Sequence, residues 1–381
     1  MNIVLAPDSY KGSLTSIQVS EIMKNAILEV NRNHHVIMKP MADGGEGTLQ
    51  ALLTSMDGEN IPITCTGPLG KKISTNYAIV NSKTAIIEFA TIAGLIQVPV
   101  DERNPDYTTS FGVGEVMIDA LNKGCTSFVI SLGGSATNDG GLGMLLALGM
   151  KAWDENREEI GAFGKDLKHV KKVSFTKLDA RLAKSDIKVA CDVSNPLCGE
   201  QGASEIFAPQ KGATKKQVVE YDEALNHFGD LVEAALNKPM KEISGSGAAG
   251  GVGFALLAME AHLVSGAQLL ANAMNIEQAV KKADLVITGE GQSDEQTLFG
   301  KAPGYIASLA KKHSIPVILI SGSLTGDLNK LRDQFSGCFS IINQPHSLEE
   351  CMDQANIMLY EQTKQVIQLV ASIRDHTLLE R

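Results

Sequence analysis

Apolar and polar positions alternate with two different periods along this chain, and the changes of period mark out its elements. Residues 3–6, Ile-Val-Leu-Ala, form a short unbroken apolar run, as a strand buried on both faces does. A polar loop follows at 7–13. Thr15-x-x-Gln18 then has the spacing of a capping box, in which each residue's side chain bonds the other's backbone N–H. Ile17, Ile22, Met23, Ala26, Ile27 and Val30 fall on one helical stripe behind it. The next strand is expected at 35–39, with the loop Asp43-Gly44-Gly45-Glu46-Gly47 after it and a helix from near Thr48.

The middle changes character. Residues 61–66, 73–80 and 84–90 read as strands, separated by the turn signals Gly67-Pro68-Leu69-Gly70 and Asn81-Ser82-Lys83. Short strands joined by short turns predict antiparallel pairing. Helix and strand then alternate. A helix over 110–123 is closed by Gly124 at its C′ position, a buried strand spans 128–132, and a Gly-rich loop leads into an apolar helix over 142–150. Residues 151–185 are the most polar stretch and are expected to form a small excursion. A strand follows at 187–191, and Thr214-x-x-Gln217 opens a long helix to about Asn237. The last third is again α/β, with strands at 285–288, 317–321 and 339–343 and a final helix from the capping box Ser347-x-x-Glu350.

The fold class is therefore α/β. The first and last parts share the strand, polar loop, helix order of a doubly wound sheet. They are expected to form one discontinuous domain, 1–68 with 284–381, around an inserted α/β domain of mixed sheet at 69–283.

Composition narrows the partners. A chain of 381 residues with 44% hydrophobic and 20% charged residues has the length of two or three globular domains. A net charge of −10 argues against nucleic acid, whose phosphates demand a basic face. The six cysteines form no CxxC pair, so reduced thiols and no zinc site are expected. The N-terminus lacks a basic, cleavable leader and no apolar run reaches membrane length, so a cytoplasmic protein without a membrane span is expected. Small molecules are the expected partners, and a homodimer is left open.

The candidate chemistry lies in loops after strands, where α/β sheets bind ligands and helix N-termini attract anions. In Asp8-Ser9-Tyr10-Lys11-Gly12, Lys11 could hold an anion; the plain alternative is a surface lysine with Asp8 in a turn. Asp43 and Glu46 stand among glycines and suit a metal, or a tight turn. In the loop from Gly133 to Gly141, Gly133, Gly134, Ser135, Thr137 and Asn138 suit a phosphate cradle. Asp192, at a strand end before Asn195-Pro196, could orient a hydroxyl and accept its proton, or make an Asx-turn. Lys211 resembles Lys11 in context. Gly245-Ser246-Gly247-Ala248-Ala249-Gly250 matches GxGxxG literally, yet it follows a poor strand and has no acidic residue near 20 positions on; close packing or nucleotide phosphates fit it better. Glu290 and Asp294 could meet a metal, with Lys301 behind them, and no Walker A loop occurs. Only seven of the 34 basic residues are arginine, so Arg103, ahead of Thr108-Thr109-Ser110, stands out as a carboxylate or phosphate ligand.

Several of these blocks, taken in order, resemble the bacterial glycerate kinase family. They are residues 6–14 (APDSYKGSL), 41–48 (MADGGEGT), 133–141 (GGSATNDGG), 191–197 (CDVSNPL), 209–213 (PQKGA) and 288–291 (TGEG), followed by Asp294, Gln296 and Lys301. Tyr10 and Phe111 stand where the family pattern has Phe and Tyr. The resemblance implies an ATP- and Mg²⁺-dependent kinase acting on D-glycerate. It also implies a flavodoxin-like domain split around a second α/β domain, with the active site in the cleft they form.

On our reading of roles, Asp192, Lys11 and Asp43 are the catalytic candidates, and Asp8, Ser9, Arg103 and Asn195 bind substrate. The loops containing Gly133 and Gly245, with Gly247 and Lys211, bind the nucleotide, and Mg²⁺ is held by Asp43, Glu46, Glu290 or Asp294. A 2-phosphoglycerate product is favoured over 3-phosphoglycerate by the resemblance alone. The loops by themselves would suit a metal-dependent phosphatase almost as well. A nicotinamide-dependent hydroxyacid oxidoreductase, suggested by GxGxxG, and a non-catalytic sugar-acid-binding protein are the alternatives.

Overall fold

The computed structural model describes residues 1–41, 58–298 and 300–379. Among these the chain divides into two compact units, one from residues 1–41 and 267–379, the other from 58–266. Strand pairing locates the first boundary. Gly58–Thr66 pairs antiparallel with Lys72–Val80, so it belongs to the inserted unit, ahead of the expected start at 69. Residues 267–283, with helix Ile276–Val280, go with the first unit, ahead of the expected return at 284.

The first unit carries a sheet of five parallel strands. In space they run His35–Met38, Asn2–Leu5, Leu285–Thr288, Val317–Ser321, Gly337–Ser340. Counted along this unit the order is 2-1-3-4-5, the flavodoxin-like arrangement. Leu285–Thr288 and Val317–Ser321 are buried at every position. Successive side chains point to opposite faces, so both faces are covered there, and the sequence shows unbroken apolar runs instead of alternation. Helix Ser16–Val30 starts at its capping box. Thr15 Oγ1 accepts the Gln18 N–H at 3.2 Å, and Gln18 Oε1 accepts the Thr15 N–H at 2.9 Å. Its buried stripe, including Val19, Met23 and Ile27, joins Ile3, Leu5 and Leu359 in the core of this unit.

The second unit is a six-stranded mixed sheet in the order His262–Val264, Asp186–Ala190, Ser127–Ser131, Thr84–Glu88, Lys72–Val80, Gly58–Thr66. The first four strands are parallel, and the last two add on antiparallel, as their short turns predict. Helix Phe111–Asn122 ends ahead of Gly124, which takes φ +87°. The apolar helix stops at Ala147, short of 150, because Gly149 turns the chain at φ +102°. Residues 151–185 contain the small hairpin of Lys151–Trp153 with Lys172–Ser174 and two short helical turns. Tyr77, Phe89, Phe128, Phe228 and Phe254 fill the core of this unit. Each buried Phe contributes roughly 1.5–3 kcal/mol. None of the helices among the described residues is long and apolar enough to cross a membrane.

Candidate active site

In a flavodoxin-like sheet the winding reverses between the first and third strands, and ligands bind beyond the carboxyl ends there. In the first unit those ends belong to Asn2–Leu5 and Leu285–Thr288. The two loops that leave them are tied together. The Asp8 N–H donates to Gly289 O at 2.8 Å, and Thr288 Oγ1 donates to Ala6 O at 2.7 Å. A third loop joins them, with the Gly322 N–H on Glu290 O and the Ser323 N–H on Gly291 O, each at 3.0 Å. Gly289 admits no side chain, since a Cβ would lie 1.7 Å from the Ile320 carbonyl oxygen. Tyr10 is buried and donates to that same carbonyl at 2.8 Å. Burial, helped by the Glu290 charge, pushes its phenol well above the usual range. Tyr10 thus anchors the loop from below. Lys11 is exposed, Ser9 is half-buried, and Asp8 is buried with its Oδ1 accepting the Ser9 N–H at 2.6 Å.

The expected metal pair sits in a hydrogen-bonded loop. Glu290 Oε1 accepts the hydroxyls of Ser293 at 3.0 Å and Thr297 at 2.6 Å, while its Oε2 faces Lys301 Nζ at 3.7 Å. Asp294 Oδ1 caps the Gln296 N–H at 2.8 Å. Glu290 is thus held by two hydroxyls and faces a lysine, and Asp294 closes a turn. No group of three or more His, Cys, Asp or Glu able to hold a metal occurs among the described residues. Asp43 and Glu46 lie outside the described residues.

In the second unit the Gly-rich loop follows strand Ser127–Ser131. Gly133 is half-buried and Gly134 exposed, at φ +67°, while residues 135–141 are buried. Among the described residues, the backbone N–H groups of Gly133 and Gly134 have no hydrogen-bond acceptor. The Gly134 carbonyl, in contrast, accepts the Leu95 N–H at 2.8 Å, which steadies the turn. Consecutive free N–H groups around a left-handed residue make an anion-binding concavity.

The rest of the loop is spent on packing. Asp139, fully buried, accepts the N–H and hydroxyl of Ser110 at 2.9 and 2.7 Å and the N–H groups of Gly141 and Gly143 at 3.1 and 3.3 Å. Burial raises its carboxyl, and those four donors oppose the rise. Thr137 and Asn138 are fully buried, with Asn138 Nδ2 on Ser204 Oγ at 3.1 Å. Gly245 and Gly247 are buried too. A Cβ on Gly247 would meet Pro196 O at 2.2 Å, and one on Gly245 would meet Cys191 Sγ at 2.9 Å. These four residues, expected to contact nucleotide, are occupied by the protein itself. The same correction applies to Thr108-Thr109-Ser110: all three are buried, and Ser110 is committed to Asp139.

Lys211 is also buried, 2% exposed. Its Nζ donates to Ser135 Oγ at 2.9 Å and Thr137 O at 2.6 Å. Burial brings it down to about 7, although Asp139 favours its charged form. Asp192 stands at the end of strand Asp186–Ala190, exposed, with Oδ1 accepting the Gly266 N–H at 3.0 Å. Asn195 Nδ2 donates to Gln201 O at 2.7 Å, which ties the Asp192 loop back on itself. Arg103 is half-buried, and its carbonyl seats Gly212, where a Cβ would lie 2.0 Å away. Its Nε is buried with no partner among the described residues. The structure therefore gathers Asp8, Ser9, Lys11 and Glu290 beyond the carboxyl ends of two adjacent central strands. Gly133, Gly134, Ser135, Lys211, Asp192, Asn195 and Arg103 belong to the other unit.

Residues 3–371 match the model of the glycerate kinase family. The chain is a member of that family. It is 42% identical over 373 residues to the glycerate kinase of Halalkalibacterium halodurans, covering 97% of this chain and 98% of that one. It is 43% identical to the glycerate 2-kinase of Escherichia coli K12, covering 92% and 93%. A crystal structure from Salmonella typhimurium LT2, assigned as glycerate kinase 2, superposes with a TM-score of 0.89 at 38% identity, covering 98% of this chain and 99% of that one.

In this glycerate kinase family member the GxGxxG stretch is no dinucleotide turn. No strand leads into it, and Ala249, Gly250 and Gly251 all have positive φ. A Cβ on Gly250 would lie 2.1 Å from Thr137 O, so the crevice a pyrophosphate would need is filled by the Gly133–Gly141 loop. One residue escaped the sequence reading. Glu88 is buried at the end of strand Thr84–Glu88, in register with Ser131 just before the exposed turn. Its signal was a carboxylate closing an apolar run, which reads equally well as a break in a core strand.

Proposed function

We propose that this chain transfers the γ-phosphoryl group of ATP to a hydroxyl of D-glycerate, at C2, forming 2-phosphoglycerate and ADP. The turn at Gly133–Gly134 carries the reading: two consecutive backbone N–H groups on a turn that reaches the surface suit phosphate oxygens. The 2-position is supported by the Escherichia coli relative named glycerate 2-kinase.

Phosphoryl transfer needs little covalent help, so positioning and charge neutralisation supply most of the rate. Asp192 is the candidate base for the substrate hydroxyl, and the Gly266 N–H fixes its orientation. Lys11, the exposed ammonium at the flavodoxin-like switch point, takes the carboxylate or the charge developing on the transferred group, with Ser9 and Asp8 shaping its loop. Mg²⁺ commonly binds through one or two carboxylates and the substrate's phosphates, so a site without a three-carboxylate cage among the described residues fits an ion that arrives with ATP. It would neutralise phosphate charge.

The test is ADP release with D-glycerate, Mg²⁺ and ATP, with the product followed by ³¹P NMR. ADP formation, with phosphorus coupled to a single methine proton, is expected. Coupling to two methylene protons would move transfer to C3. Absence of ADP would remove the kinase reading.

A further inference from the structure

Lys211 is a lysine almost without water, and both of its hydrogen bonds run into the Gly-rich loop. In its protonated form, held below about pH 7, Lys211 only donates. Lys211 therefore occupies a lone pair of Ser135 Oγ, and the Ser135 hydroxyl proton must point elsewhere. Nothing among the described residues accepts it. Ser135 adjoins the exposed Gly134, whose N–H is unspent along with that of Gly133. Three unspent donors, two N–H groups and one hydroxyl, thus lie on one short turn. The lysine has no freedom to leave. Its own N–H donates to Ala208 O at 3.0 Å, and Gly212, at φ +87°, locks the next step of the chain against Arg103.

We propose that the Ser135 hydroxyl donates to a phosphate oxygen of the bound nucleotide, and that Lys211 is a positioning residue that holds this hydroxyl as an outward donor. The inference rests on the kinase reading above and deepens it. The loop recognises phosphate through neutral N–H and O–H groups, and its lysine stays behind them, which differs from a lysine laid directly on the phosphates.

Calorimetric titration of the full chain with ADP, and separately with D-glycerate, at about pH 6 where Lys211 is protonated, tests this. Ser135→Ala is expected to weaken ADP about tenfold, and Ser135→Thr, which keeps the hydroxyl, to restore it to within about threefold. Glycerate affinity stays within about twofold in both. Lys211→Met weakens ADP when Ser135 is present and adds nothing in the Ser135→Ala background, because it acts through that hydroxyl. An equal loss in both backgrounds overturns the positioning role. Unchanged ADP affinity in Ser135→Ala overturns the proposal and leaves the kinase reading standing, as does a loss confined to glycerate. If the wild-type chain binds no ADP at all, the kinase reading fails and the proposal fails with it.

Discussion

Asp139 holds Ser110 by two bonds at once, taking its backbone N–H at 2.9 Å and its hydroxyl at 2.7 Å. Ser110 Oγ in turn accepts the Met144 N–H at 3.0 Å, so one buried carboxylate organises the starts of two helices, Phe111–Asn122 and Leu142–Ala147. Replacing it by alanine strands several buried donors. Asp139→Ala is expected to cost on the order of 3 kcal/mol or more, read as a lower urea midpoint. An unchanged midpoint would mean that water takes the carboxylate's place.

The interlock of the two glycine-rich loops predicts unequal glycine substitutions. Gly250 and Gly199 both have positive φ, at +69° and +90°, but a Cβ on Gly250 meets Thr137 O at 2.1 Å whereas one on Gly199 meets nothing within 4 Å. Gly199→Ala should cost about 1 kcal/mol, from backbone strain alone. Gly250→Ala should cost at least about 2 kcal/mol more, since backbone must move. Equal melting temperatures for the two variants would contradict the close approach.

Lys211 gives stability a defined pH dependence. Burial brings it down to about 7 in the folded protein, against an ordinary value of 10.5, and the Asp139 charge opposes that shift. Between those values the unfolded chain binds a proton that the folded chain does not. Its contribution to stability is therefore flat below about pH 7 and rises with pH up to about 10.5. The stability difference between wild type and Lys211→Met, measured by urea denaturation across that window, should shift in favour of wild type as pH increases. A difference independent of pH would mean that Lys211 keeps its ordinary proton affinity when folded.

Asp192→Asn preserves the oxygen that accepts the Gly266 N–H and removes the ability to take a proton. The fold should survive while kcat drops by roughly 10²–10⁴. Near-normal turnover would transfer the base role to Asp43.

Lys11→Ala should lower kcat on the order of 10²–10³, the usual cost of losing a well-placed cation. The side chain is exposed, so circular dichroism should be unchanged. A loss below about threefold would take Lys11 out of the site.

The local architecture was legible because its causes are local. All three capping boxes, at Thr15, Thr214 and Ser347, form as spaced. The strands Leu285–Thr288 and Val317–Ser321 fall where unbroken apolar runs stand. The candidate site was legible as a set of loops after strands, but not residue by residue. A glycine that opens the backbone to a ligand and one that lets two loops touch have the same sequence signature. So do a lysine facing solvent and Lys211, and a carboxylate open to solvent and Glu290 with its two hydroxyls.

The sequence by itself determined the α/β class, the element order, the caps and the family motifs, since each depends on residues within a few positions of one another. Only the tertiary structure decided the flavodoxin-like strand order of the first unit. It also decided which loop residues stay open and which are consumed. Ser135 meets Lys211 across 76 positions, and Thr137 reaches Ala249 across 112. Contacts at such separations follow from strand order and close packing, and neither has a period that can be read along the chain.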